Sequence, residues 1–154
     1  MNNKNYIDFA IQIAQKGENL KEVPVGAVIV DEKHQKIISA RHNEIVLENN
    51  PLKHAEMLVI NDACKIMKTR YLNNLTIYVT LEPCLMCAAA ISEARIKKLY
   101  FGAYDEKKGA IENGIRFFTN KNYFKPQIYG GINEDKCSLI LKNFFSLKRK
   151  KNNG

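Results

Sequence analysis

Four side chains in two short segments carry the chemistry of this chain. Residues 54–56 read His54-Ala55-Glu56, and residues 83–87 read Pro83-Cys84-Leu85-Met86-Cys87. One imidazole and two thiolates select zinc over magnesium or calcium, which prefer oxygen ligands. A zinc ion used for folding is closed by four protein ligands, whereas a set of three leaves one position for water. His54, Cys84 and Cys87 make up such a set of three. Zinc lowers the pKa of its bound water to about 7. Glu56, two residues past the histidine, is a carboxylate that need not ligate, and it could accept that water's proton and hand it to a substrate nitrogen. The pattern points to a hydrolytic enzyme. A Cys-x-x-Cys pair alone also serves redox chemistry, but a redox role leaves His54 and Glu56 without a part.

Local patterning outlines the elements that must bring these residues together. Tyr6, Phe9, Ala10, Ile13 and Ala14 recur at helical spacing, and Gly17 is a natural stop. Residues 25–30 form a continuous apolar run, the mark of a strand buried on both faces. Residues 36–40 read as its hairpin partner across a turn at 31–35 that contains His34. Residues 44–51 are polar and read as a loop. A helix is predicted over 54–68, with Ala55, Leu58, Val59, Ala63, Ile66 and Met67 on one face. A strand over 76–80 follows, then Pro83 opens a helix over 84–94, and another strand covers 98–103. Beyond Asp105 the periodicity loosens, and Phe117-Phe118 is apolar but uncapped. Residues 127–129 suggest a short strand, and a last helix over 134–148 places Cys137, Ile140, Leu141, Phe144 and Phe145 on one stripe. This order describes a layered α/β domain with a partly parallel sheet. Helices that flank adjacent parallel strands point their N-termini to one sheet end, where open α/β sheets bind ligands. That geometry would bring His54 to Cys84 and Cys87. Free N–H groups at a helix start also favour the thiolate form.

Bulk properties narrow the class. A chain of 154 residues suits one domain. It contains no apolar run near the roughly 18 residues that span a bilayer, and its first residues lack the apolar region of a secretory signal. A cytoplasmic protein without a membrane partner is expected. In that compartment the four cysteines are better read as metal ligands and free thiols than as disulfides; Cys64 and Cys137 lie on apolar stripes and read as buried thiols. The formal charge of +8 includes the run Lys148-Arg149-Lys150-Lys151. That run is either a solvated, frayed end or a site of attraction for phosphate. Tyr123 and Phe124 lie between Lys121 and Lys125, so their rings are interleaved with cations.

The spacing His54-x-Glu56 with Pro83-Cys84-x-x-Cys87 matches the H-x-E…P-C-x-x-C signature of zinc-dependent nucleobase deaminases. Residues 22–28 (Glu-Val-Pro-Val-Gly-Ala-Val), Asn43, and the segments 80–87 and 101–110 extend the match. Over nearly its whole length the chain resembles the bacterial tRNA adenosine deaminases, which are cytidine deaminase-like zinc enzymes. The resemblance implies a three-layer α/β cytidine deaminase-like fold, a central mixed five-stranded sheet flanked by helices. It implies a deaminase domain over residues 1–147 and a basic C-terminal tail over 148–154. It further implies a homodimer with one Zn2+ per subunit that converts adenosine to inosine at the wobble position of a tRNA anticodon stem-loop. In that chemistry water attacks C6 of a base taken out of the stack, Glu56 protonates the ring nitrogen, and ammonia leaves. The same resemblance assigns Asn43 to the flipped nucleotide and Asp105 to the neighbourhood of the RNA backbone.

Read without the resemblance, Asn43 is a turn-former and Asp105 a solvated cap. The chain departs from the usual family pattern at Asn50-Pro51-Leu52-Lys53 before the histidine, at Glu44 after Asn43, and at Ala89. None of these touches the ligand set. Two other readings use the same residues: a deaminase of a free base such as guanine or cytosine, and an RNA-binding module with a structural zinc.

Overall fold

The computed structural model describes residues 2–153. Helix α1 (Asn3–Glu18) leads into the hairpin of β1 (Gly26–Asp31) and β2 (Lys36–His42). Helix α2 (Ala55–Met67), β3 (Thr76–Leu81), α3 (Leu85–Glu93) and β4 (Lys98–Ala103) follow. A short 3-10 turn at Phe117–Thr119, β5 (Gln127–Tyr129) and α4 (Glu134–Asn153) complete the chain. The five strands form one mixed sheet in the order β2-β1-β3-β4-β5. β1 is antiparallel to both β2 and β3, whereas β3, β4 and β5 run parallel.

Side-chain alternation along the central strands builds three layers. Ala27, Ile29, Ile77, Val79, Leu99 and Phe101 face one way and pack with Ala55, Val59 and Ala63 of α2 and with Ala88 and Ile91 of α3. Val28, Val30, Tyr78 and Tyr100 face the other way, onto Tyr6, Ile7, Ala10 and Ile11 of α1 and Cys137 of α4. Burial on both faces explains why β1, β3 and β4 read as continuous apolar runs. The edge strands are weaker. β5 is three residues long and mostly exposed, which limits further pairing at that edge.

Four expectations are modified. The strands that feed α2 and α3 are not neighbours, because β1 lies between β2 and β3. They still run to the same sheet end because each is antiparallel to β1. The run Lys148–Lys151 is helical and not a frayed end, since α4 continues to Asn153. Of the apolar stripe on α4, Cys137 is buried but Phe144 is only partly covered and Phe145 is 43% exposed. The helix leaves the body of the domain after its first turns. Cys64 is half-buried at the margin of the core, while Cys137 is inaccessible.

Candidate active site

Both halves of the motif sit where the chain enters a helix at the same end of the sheet. His54 is the residue before α2, with φ −70° and ψ 148°, and its carbonyl accepts the first helical bond from Leu58 N at 3.1 Å. Its side chain does not cap the helix. Capping comes instead from Asn43 at the end of the hairpin, whose Oδ1 accepts from Ala55 N at 2.8 Å. The imidazole is thereby released to face the second segment. There Cys84 occupies the equivalent position before α3, and Cys87 lies one turn further on, fully buried.

The three donors converge. His54 Nδ1 lies 3.7 Å from Cys84 Sγ and 3.6 Å from Cys87 Sγ. All three ligand atoms fall within 4.8 Å of one another. A tetrahedral zinc with Zn–S near 2.3 Å and Zn–N near 2.0 Å requires N···S edges of about 3.5 Å. The two N···S separations match those edges, so the donors suit zinc, and a set of three leaves one position open. Glu56 is buried in the first turn of α2, beside Cys87. Burial pushes its carboxyl up to about 7, and the neighbouring Cys84 charge adds to that rise.

In the metal-free protein the two cysteines differ. Cys84 is lowered to about 4, chiefly because the Cys87 thiol donates to it, with His54 also donating. Cys87 is raised in return by that same bond and by burial. His54 is raised by its bond to Cys84. Both sulfurs must be deprotonated to ligate, so metal entry releases whatever proton the pair shares.

Asn43 and Asp105 lie outside this cluster. Asn43 is buried; beyond its bond to Ala55, its Nδ2 has only a long contact of 3.4 Å to Val23 O. Asp105 opens the segment 105–113, and its Oδ1 accepts from Lys107 N and Lys108 N at 3.1 Å each. This segment borders the site. Ala110 N donates to Pro83 O at 2.9 Å, Gly109 bridges to Cys84, and the Lys108 charge is felt at His54.

Two residues escaped the sequence reading. Glu82, 2% exposed, accepts from Asp105 N and Asn113 Nδ2 on Oε1 and from the N–H groups of Ile111, Glu112 and Asn113 on Oε2. Burial pushes its carboxyl up, but this cage outweighs it and holds it below the ordinary value. Glu22, 1% exposed, accepts from Val46 N at 3.0 Å and Leu47 N at 2.7 Å. Their only signal was a charge set against apolar runs, in Glu22-Val-Pro-Val and in Thr80-Leu-Glu82-Pro. A recess of about 460 Å³ lies at the opposite sheet end, between the turn holding His34 and the segment that includes Tyr71 and Asn73. Among the described residues the one group of possible metal ligands, His54, Cys84 and Cys87, lies at the other end.

This arrangement of an open three-ligand site with a buried carboxylate accompanies an extended sequence match. The profile of the MafB19-like deaminases matches residues 1–149. A tRNA-specific adenosine deaminase of Rickettsia bellii (strain RML369-C) is 49% identical over 137 residues, which is 88% of this chain and 94% of the relative. The chain belongs to the tRNA-specific adenosine deaminase family. A structure from work on A-to-I editing by tRNA:A34 deaminases superposes on this family member with a TM-score of 0.85. That match has 40% identity and covers 89% of this chain and 99% of the other. The guanine deaminase of Nitrosomonas europaea aligns with a TM-score of 0.83 over 93% of this deaminase and 84% of its own length. At 15% identity it shares the fold alone.

Proposed function

We propose that this protein hydrolyses adenosine to inosine at the wobble position of a tRNA anticodon. Similarity over 89% of the chain, at 40% identity, to a structure from work on tRNA:A34 deaminases, joined to a three-ligand set with its buried carboxylate, supports this reading. The reaction consumes water, replaces the 6-amino group by a carbonyl oxygen and releases ammonia. His54 Nδ1, Cys84 Sγ and Cys87 Sγ would hold a zinc ion, which would supply activated water at neutral pH. Glu56, shielded from solvent, takes a proton from that water and returns it to the ring nitrogen of adenine. Asn43 has committed its oxygen to Ala55 N, so its Nδ2 is the group left to meet the nucleotide. Asp105 holds its own turn and brings the segment with Lys107 and Lys108 toward the RNA backbone. An unpaired anticodon loop lowers the cost of taking the base out of the stack.

The test is direct. An anticodon stem-loop with adenosine at the wobble position should accumulate inosine when incubated with the zinc-loaded protein. Ammonia release from free guanine, with no inosine in the RNA, would sink this reading.

The assembly is proposed to be a homodimer working in the cytoplasm. Leu139, Phe145 and Leu147, exposed on α4, support a role for that helix in pairing; sedimentation at the mass of two chains checks it. The far end of α4 carries Lys148, Arg149, Lys150 and Lys151 in one helical turn and a little more. Removing residues 148–154 should weaken RNA binding and flatten its dependence on salt, with a slope change of about 0.7 per lost phosphate contact. Zinc content should not change. A slope unaltered by the deletion would mean that these charges face solvent only.

A further inference from the structure

Two loops border the metal site, and each is tied to a buried carboxylate. The first joins Asn43 to His54, and the second follows β4 and returns past Cys84 at Gly109. Glu22 holds the first through the N–H groups of Val46 and Leu47. Glu82 holds the second through four backbone N–H groups and the Asn113 amide. Neither carboxylate joins any ion pair among the described residues. Burying a charge without a cation costs several kcal/mol unless hydrogen bonds satisfy it. Here the loop backbone is what satisfies it, so each loop has one conformation in which its glutamate is tolerated. The fit is close at Gly109, where a Cβ would fall 2.5 Å from Glu82 Cδ and 2.4 Å from Asp105 O.

The two loops present different chemistry. The Glu22 loop exposes Val46, Leu47 and Leu52 beside Glu48 and Asn49, and the Glu82 loop exposes the adjacent pair Lys107 and Lys108 between Glu106 and Glu112. We infer that Glu22 and Glu82 are positioning residues for substrate: Glu22 sets the apolar side chains Val46, Leu47 and Leu52 that meet nucleotide faces, and Glu82 sets the Lys107–Lys108 pair that meets RNA phosphates. This inference rests on the RNA substrate proposed above and adds which side chains receive it and what holds them in place.

Glu82→Gln, Glu22→Gln and the milder Asn113→Ala separate the two roles, each studied as zinc-loaded protein. A glutamine keeps the volume but cannot accept on both ends. Amide exchange reads the loops without substrate. Exchange should rise at least about tenfold at residues 111–113 in Glu82→Gln and at 46–47 in Glu22→Gln, since hydrogen bonds to a charged acceptor contribute more than neutral ones. With the stem-loop, Glu82→Gln and Asn113→Ala should raise KM, with kcat held within about twofold. In Glu82→Gln the slope of log KM against log salt should fall by about 1, as expected on misplacing one or two cations. Glu22→Gln should raise KM without altering that slope. A loss of kcat at unchanged KM, or identical salt slopes in the Glu22 and Glu82 variants, overturns the inference. So does unchanged exchange in either loop. If Glu82→Gln fails to retain zinc, Asn113→Ala decides between these outcomes. A wild-type protein inactive on the stem-loop would instead overturn the RNA reading, and the exchange arm would still report whether the glutamates hold the loops.

Discussion

Glu56→Gln is expected to fold and bind zinc normally while losing about 10²–10⁴ of its turnover, the usual contribution of a positioned acid–base group. The physical reason is the separation of two tasks within one helical turn. His54 points Nδ1 at the cysteines, while Glu56, two residues on, is buried beside them without belonging to the ligand cluster. Glutamine keeps the volume and one acceptor but cannot carry a proton between water and base. Burial already disfavours the charged carboxylate, as its rise to about 7 shows, so removing the charge should not unfold the protein. Single-turnover inosine formation, with zinc measured on the same sample, checks the claim. A Glu56→Gln variant that retains full activity would refute the proton-shuttle assignment.

Loss of one ligand should act on a different quantity. Cys84→Ser or Cys87→Ala is expected to reduce zinc affinity by more than about 100-fold, beyond what altering a partner outside the ligand set costs, and to abolish turnover with it. Serine stays protonated where the Cys84 thiol, held low by the Cys87 and His54 donors at the start of α3, gives a thiolate ligand readily. Chelation of the wild type should give the same inactive state, reversible on adding zinc back. The fold should survive, because the sheet is packed on both faces by clusters that do not depend on the ligand atoms. Affinity should also fall as pH is lowered, since metal entry releases the proton that the cysteine pair shares. Metal analysis and circular dichroism separate the alternatives. Unfolding on chelation would make the zinc structural, and a variant with full zinc would remove that cysteine from the ligand set.

Much of the fold was legible wherever burial imposed a period. The runs in β1, β3 and β4 announced strands covered on both faces, and the boundaries of α2 and α3 lie within a residue or two of those expected. Legibility failed where order comes from distant partners. Residues 104–116 have no repeating pattern because four of their backbone N–H groups, those of Asp105, Ile111, Glu112 and Asn113, are satisfied by Glu82, more than twenty residues earlier in the chain, and others by local turns around Asp105. Asn43 looked like a turn-former because nothing local shows that its amide caps a helix starting twelve residues later. The stripe on α4 misled in the opposite sense: Phe144 and Phe145 keep helical spacing although the body of the domain ends beneath them.

By itself, the sequence pointed to the donor set, the open position expected of three ligands and the spare carboxylate, because ligand type and count are properties of residues and short spacings. The match through His54, Glu56, Cys84 and Cys87 likewise carried the family. Only the tertiary structure decided that His54 Nδ1 is the nitrogen facing both sulfurs and that Glu22 and Glu82 hold the loops around them. The reason is the cost of burial. A charge removed from water must find partners wherever the fold supplies them, and here those partners lie across the sheet end or two dozen residues along the chain.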